Sequence, residues 1–134
     1  MSKAAKMCLM LVRLTGLVQI GIGIGLWMGH GLSLTTAHMW IGVVLVLSLW
    51  ALAFLGARVH VSGGLVALAL IWGLITVGFG MAQTRIMPGA HHEIIRVLHL
   101  LVGVAAIGMG EMLGKRIKKA GVPTASHASA QPAR

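Results

Sequence analysis

The chain reads EIIRVLHLLVGVAAIGMGE from Glu93 to Glu111, an apolar run that contains one histidine, His99. The run is close to the roughly 20 residues that an α-helix needs to cross about 30 Å of hydrocarbon. His99 lies about two turns inside the first end, at a depth where an ionisable side chain is costly to keep in lipid. The stretch therefore predicts a membrane-spanning helix whose histidine needs a partner inside the protein.

The composition of the whole chain extends this prediction. Of 134 residues, 57% are hydrophobic and only 10% are charged, far from the composition of soluble domains. Short connections between apolar segments make consecutive helices antiparallel, so we expect an all-α integral membrane protein built as an up-down four-helix bundle. The predicted transmembrane domain covers residues 1–119, and residues 120–134, rich in Pro, Ser, Ala and Gln, predict a disordered tail. The four predicted spans are about 7–28, 36–57, 63–82 and 94–113.

The positive charges are distributed unevenly over this topology. Arg85 and Arg96 fall on one side, and the other nine of the eleven Lys and Arg residues fall on the side that carries both termini. This positive-inside bias predicts cytoplasmic termini and a multi-pass protein of the cell inner (plasma) membrane. Its basic residues would face anionic headgroups of the membrane lipids, and nucleic acid is not expected as a partner. The nine are Lys3, Lys6, Arg13, Arg58, Lys115, Arg116, Lys118, Lys119 and Arg134.

A second histidine, His38, lies just inside the same end of another predicted span. His38 is followed four residues later by Gly42, as His99 is followed by Gly103. A glycine one turn beyond a ligand leaves room for the flat face of a porphyrin. Helices two and four run in the same direction and are predicted to lie diagonally across the core, so a metal between them would have one imidazole on each side.

The ligand that this pairing favours is haem, because neutral imidazole is a standard axial ligand of haem iron. The single cysteine, Cys8, lies in no C-x-x-C-H motif, which excludes covalent c-type attachment, so the expected haem, one per chain, is non-covalent. By residue count, His99 would lie about 6 Å deeper than His38. His92, at the start of helix four, is the natural substitute ligand.

The remaining charged residues have simpler interpretations. Arg85 and Arg96, at the outer surface, either neutralise haem propionates or are ordinary solvated charges. Glu111 precedes Lys115 by four residues, a spacing that predicts an ion pair within helix four. Arg13 is expected to extend toward the lipid headgroups.

These motifs resemble the four-helix membrane-bound b-type cytochromes and, more loosely, the half-bundles of haem A synthase and the copper-resistance D family. The resemblance spans roughly residues 14–113 and rests on the two histidine–glycine pairs and on the run from Gln19 to Gly23. It implies a haem-binding bundle that transfers electrons. Larger relatives often hold two haems with four histidines, whereas this chain supports one.

Three functions are therefore compared. The first is a one-haem membrane cytochrome; the sequence does not name its redox donor and acceptor, for which a quinol and a periplasmic carrier are the candidates. The second is a copper-binding or copper-transport protein, because thioether and imidazole groups suit Cu(I). The third is a structural subunit of a larger complex, and the glycine-lined helices are compatible with a homodimer. The chain has no Asp or Tyr, which favours an electron-transfer protein over a stand-alone enzyme. The thioether and imidazole side chains that could bind copper lie at the outer ends of the predicted helices: Met28, His30, His38, Met39, Met81, Met87, His91 and His92.

Overall fold

The computed structural model describes residues 1–30, 32–89 and 91–121. The described chain forms four long α-helices and two short 3-10 turns, with no β-strand among these residues, which confirms the all-α class and the number of helices. Each long helix is long and apolar enough to cross a membrane. The helices are α1 (Lys3–Trp27), α2 (Thr35–Arg58), α3 (Gly63–Ala82) and α4 (His92–Ala120).

The helix bounds differ most from the predicted spans at the two ends of the chain. Helix α1 begins at Lys3, and α4 continues to Ala120, beyond the apolar run, through its basic last turns. Lys and Arg are good helix formers, and positive charge is favourable near a helix C-terminus. The predicted disordered tail lies outside the described residues except for Ala120 and Gly121.

Consecutive helices are antiparallel, and the side-chain contacts define their directions. Helices α1 and α4 are antiparallel, because a side chain at Gly16 would contact Ile107 and a side chain at Gly114 would contact Leu9. Helices α2 and α4 contact each other directly, whereas no contact between α1 and α3 is found among the described residues. Helices α2 and α4 therefore lie across the short diagonal of the bundle.

The bundle has two halves that differ in packing. We call the half that carries Met1, the connection 59–62 and Gly121 the terminal half, and the half that carries the connections 28–34 and 83–91 the loop half. The backbone N of Met1 lies 3.4 Å from the position of a Cβ on Gly121, so both described termini are at one end. The fully buried large side chains all lie in the terminal half or at the middle of the bundle. They are Val12, Val46, Leu49, Leu52 and Leu113.

Two tryptophans connect α3 to its neighbours. The indole N–H of Trp50 donates to the carbonyl of Leu70 at 3.1 Å, and that of Trp72 donates to the carbonyl of Val102 at 3.0 Å. These carbonyls belong to helices, so each bond is added to the helical hydrogen bonding. Helix α3 has no charged side chain, so these bonds, its glycine contacts and the apolar packing around the buried Ala69 hold it to the bundle.

The ion pair of the terminal half differs from the one predicted. Glu111 was expected to pair with Lys115 on its own helix. Instead, Arg13 of α1 donates to both carboxylate oxygens of Glu111, with Nη2 at 2.8 Å. The expectation that Arg13 reaches only toward headgroups was therefore incomplete. The close approach of α1 and α4 at Gly110 and Gly114 explains this, because it brings the two side chains together.

Candidate functional site

The two histidines singled out in the sequence lie side by side in the loop half. His38 is on the first turn of α2, His99 is on the third turn of α4, and their ring centroids are 6.2 Å apart with planes inclined by 54°. Both side chains are partly buried between the helices. The fold therefore brings together two imidazoles that are far apart in the chain.

The expected difference in depth is removed by the register of α2 against α4. His38 and His99 are 61 residues apart, and so are Gly56 and Ile117, which also contact each other. The two helices thus run in one constant register over most of their length. Helix α4 begins at His92, about one turn further out than α2 begins at Thr35, and one turn is about 5.4 Å.

The polar atoms at this place lack partners. Nδ1 of His38, Nδ1 of His99 and Oε1 of Gln19 are buried and have no hydrogen-bond partner among the described residues. A buried polar atom without a partner costs about 1–3 kcal/mol. Two such nitrogens on adjacent rings indicate a place where a group outside the chain completes the coordination or hydrogen bonding.

Glycines from two other helices and from α2 itself fit closely around these side chains. A Cβ on Gly23 of α1 would lie 3.5 Å from Cε1 of His38, and one on Gly80 of α3 would lie 3.2 Å from Cε1 of His99. A Cβ on Gly42 would lie only 2.7 Å from Nε2 of Gln19. The absence of side chains at these positions allows the two rings and the amide to sit against the helix backbones.

Gly42 and Gly103 were predicted to leave room beside the rings. The space next to Gly42 is filled by the amide of Gln19, whereas nothing lies within 4 Å of a Cβ on Gly103. The glycines placed against the imidazoles are Gly23 and Gly80. Around Gly21 the space is also open, so this glycine does not pack a helix within the chain.

The other predicted site residues lie toward the loops. Arg96 donates to Glu93 at 2.9 Å in an exposed pair, and Arg85 is exposed at the end of the turn Gln83–Arg85. His92, proposed as a substitute ligand, has its Nδ1 3.4 Å from the carbonyl oxygen of Ile86. The contact described for His92 is therefore with the loop.

Four residues that the sequence did not assign to the site contribute to it: Gln19 and Gly23 of α1, and Phe79 and Gly80 of α3. The ring of Phe79 on α3 lies with its centroid 6.0 Å from that of His99, and Gly80 follows it. Gln19 was quoted only for the resemblance, although an amide inside an apolar helix one turn before Gly23 is a usable signal. No comparable signal existed on α3, because its apolar side chains surround the helix and do not reveal the inward face.

The spacing of the rings suits two ligands on one metal ion. An imidazole nitrogen lies about 2 Å from a bound metal such as zinc, so two imidazoles on opposite sides have ring centres roughly 6 Å apart. No group of three or more His, Cys, Asp or Glu residues that could hold a metal is found within residues 1–30, 32–89 and 91–121. A pair of imidazoles fits haem iron, which takes only its axial ligands from the protein.

The methionines considered for copper are at the surface of the loop half. Met28, Met39 and Met81 are 63%, 56% and 69% exposed, and His30 and His91 are also exposed. Exposed apolar side chains are expected on a helix that faces lipid, so their exposure alone does not indicate a copper site.

Comparison with known proteins found no matching family model, no matching characterised protein and no matching solved structure.

Proposed function

We propose that the protein is a membrane b-type cytochrome that carries one electron on a single non-covalent haem b. The observation that supports this most is the pair formed by His38 and His99, with ring centroids 6.2 Å apart and buried nitrogens that have no partner. The donor set, the spacing and the closely fitting glycines all suit two axial imidazoles.

Each residue near the proposed haem would have a separate role in holding it. His38 from α2 and His99 from α4 would hold the haem iron, and Gly23 and Gly80 leave space for the two rings beside the backbones of α1 and α3. The ring of Phe79 beside His99 adds an apolar wall that excludes water. When bound, haem supplies a one-electron exchange between ferrous and ferric iron, with a potential set by axial ligands and burial.

The positions of the charged residues support an orientation in the membrane. Nine of the eleven Lys and Arg residues belong to the terminal half or to the chain beyond it, so we place both termini in the cytoplasm of a cell with the protein in its inner (plasma) membrane. The haem would then lie in the outer leaflet half. Arg85 and Arg96 are at this end for contact with propionates, and a quinol or a periplasmic carrier is the proposed redox partner.

The test is the visible spectrum of the purified, full-length protein after haem is supplied. We expect a reduced-minus-oxidised difference typical of six-coordinate low-spin haem. His38→Ala and His99→Ala should each remove it, while His38→Met should retain haem with a raised potential, since methionine is an alternative axial ligand. The matched controls are His60→Ala and His91→Ala, two exposed histidines whose replacement should leave the spectrum unchanged.

Other outcomes would overturn the proposal. A low-spin spectrum that survives in both alanine variants, or one that is lost in His92→Ala, would mean that other residues hold the iron. Copper without iron in metal analysis would favour the copper-binding protein instead. No bound cofactor at all, in protein that is folded and supplied with haem, would leave the structural subunit as the better explanation.

A further inference from the structure

A second site lies at the opposite end of the bundle from the histidines. A cleft of about 490 Å³ opens between the first turns of α1 and the last turns of α4. A volume of this size is typical of small-molecule sites. The cleft is lined by Met1, Lys6, Leu9, Met10, Arg13 and Lys118.

The charge of the cleft is positive. Arg13 is neutralised by Glu111, to which it donates from Nε and Nη2. The ammonium groups of Lys6 and Lys118 have no ion-pair partner within residues 1–30, 32–89 and 91–121. The lysine side chains therefore give the cleft two positive charges that no carboxylate neutralises. Nη1 of Arg13 is a further hydrogen-bond donor, because the pair with Glu111 uses only Nε and Nη2.

The rest of the lining is apolar and, apart from Met1, lies along α1 between the unpaired Lys6 and Arg13, whose charge is neutralised by Glu111. Lys6 is near the helix start, Leu9 and Met10 come one turn deeper, and Arg13 comes about 10 Å below Lys6 at 1.5 Å per residue. A ligand that fits this order has an anionic head and an apolar continuation. Basic pockets between membrane helices on the cytoplasmic side bind lipid headgroups in this way.

We propose that this cleft binds the headgroup of an anionic phospholipid, with its phosphate between Lys6 and Lys118 and its apolar part along Leu9 and Met10. The site is independent of the proposed haem, because none of its residues belongs to the loop half. It also differs from the general attraction of basic residues to anionic membranes. Lys3 and Lys119 lie at the same end of the protein but do not line the cleft.

Lys3 and Lys119, which lie near the cleft without lining it, provide the matched control. Full-length protein in a neutral detergent is titrated with short-chain phosphatidylglycerol, and with phosphatidylcholine for comparison. Lys6→Gln with Lys118→Gln removes two charges from the cleft, and Lys3→Gln with Lys119→Gln removes two charges beside it. We expect at least tenfold weaker phosphatidylglycerol binding for the cleft variant and a change below about threefold for the control. Charge-retaining Lys118→Arg should preserve binding.

Equal weakening in the two double variants would overturn the proposal, because bulk electrostatic attraction would then explain binding. Equal affinity for phosphatidylcholine would overturn it as well. Inorganic phosphate is the third ligand tested. If inorganic phosphate displaces phosphatidylglycerol when the two are present at equal concentration, the cleft is a site for soluble anions and not for a lipid, and the proposal is overturned. Should the double variant fail to fold, Lys118→Gln against Lys119→Gln makes the same comparison with one charge.

Discussion

Glycine serves different purposes in the two halves of the bundle. In the terminal half, the spaces beside Gly16, Gly110 and Gly114 are filled by apolar side chains of neighbouring helices, at 2.6–2.7 Å from a Cβ placed there. In the loop half, the spaces beside Gly23 and Gly80 are next to imidazole rings. Close helix approach through small residues is the usual way to pack membrane helices.

Polar groups differ between the halves in the same way. The charged pair of the terminal half, Arg13 with Glu111, satisfies itself, whereas three buried polar atoms of the loop half have no partner. Each unsatisfied buried atom costs free energy. In the proposed haem protein, the terminal half would provide the stability of the bundle, and the loop half would use some of it to hold the haem.

The same substitution made in both halves tests this division most strongly. Gly110→Ala places a methyl group 2.7 Å from Cγ1 of the fully buried Val12, and this overpacking should lower the free energy of unfolding by about 2 kcal/mol. Gly80→Ala places its methyl 3.2 Å from Cε1 of His99 and should instead weaken haem affinity, by roughly tenfold, with little loss of stability. Denaturation in detergent and haem titration measure the two effects.

Each of these variants has a control two residues away on its own helix. Nothing lies within 4 Å of a Cβ on Gly108 or on Gly78. Alanine at either position should be neutral or slightly stabilising, because alanine has the higher helix propensity. If Gly110→Ala and Gly108→Ala were equally stable, the close packing assigned to the terminal half would be incorrect.

The second prediction is that one substitution in the loop half removes haem binding and raises stability. His38→Leu removes a buried nitrogen that has no partner and should raise the stability of the protein without haem by about 1 kcal/mol. It should also abolish haem binding. The measurement is the unfolding midpoint in detergent of the two haem-free proteins. A lower midpoint for the leucine variant would mean that the imidazole stabilises the bundle by itself, as in a purely structural subunit.

The smallest expected effect is at a histidine of the terminal half. His60 is exposed and has a φ of 60°, a left-handed conformation in which the next residue, Val61, donates to the carbonyl of Gly56 at 3.0 Å. His60→Gly relieves a strain of about 1–2 kcal/mol and loses part of it to backbone entropy, so we expect a gain of about 0.5 kcal/mol. His60→Ala should give no gain, and the haem spectrum should not change in either variant.

The sequence by itself was sufficient for the number of helices, their approximate bounds and the two histidines. Hydropathy is a local property that can be read along one helix at a time. The prediction of a Glu111–Lys115 pair was wrong, because helical spacing could not reveal that Arg13 on another helix lies closer in space.

Only the tertiary structure decided how the helices are placed against one another. The register that brings His38 to His99 depends on how side chains and glycines interlock between α2 and α4, and no single helix encodes it. The inward face of α3, with Phe79 and Gly80, was equally hidden, because an evenly apolar helix has no polar side to mark its orientation. Local sequence determines which segments become helices, whereas packing between distant segments determines which of their side chains meet.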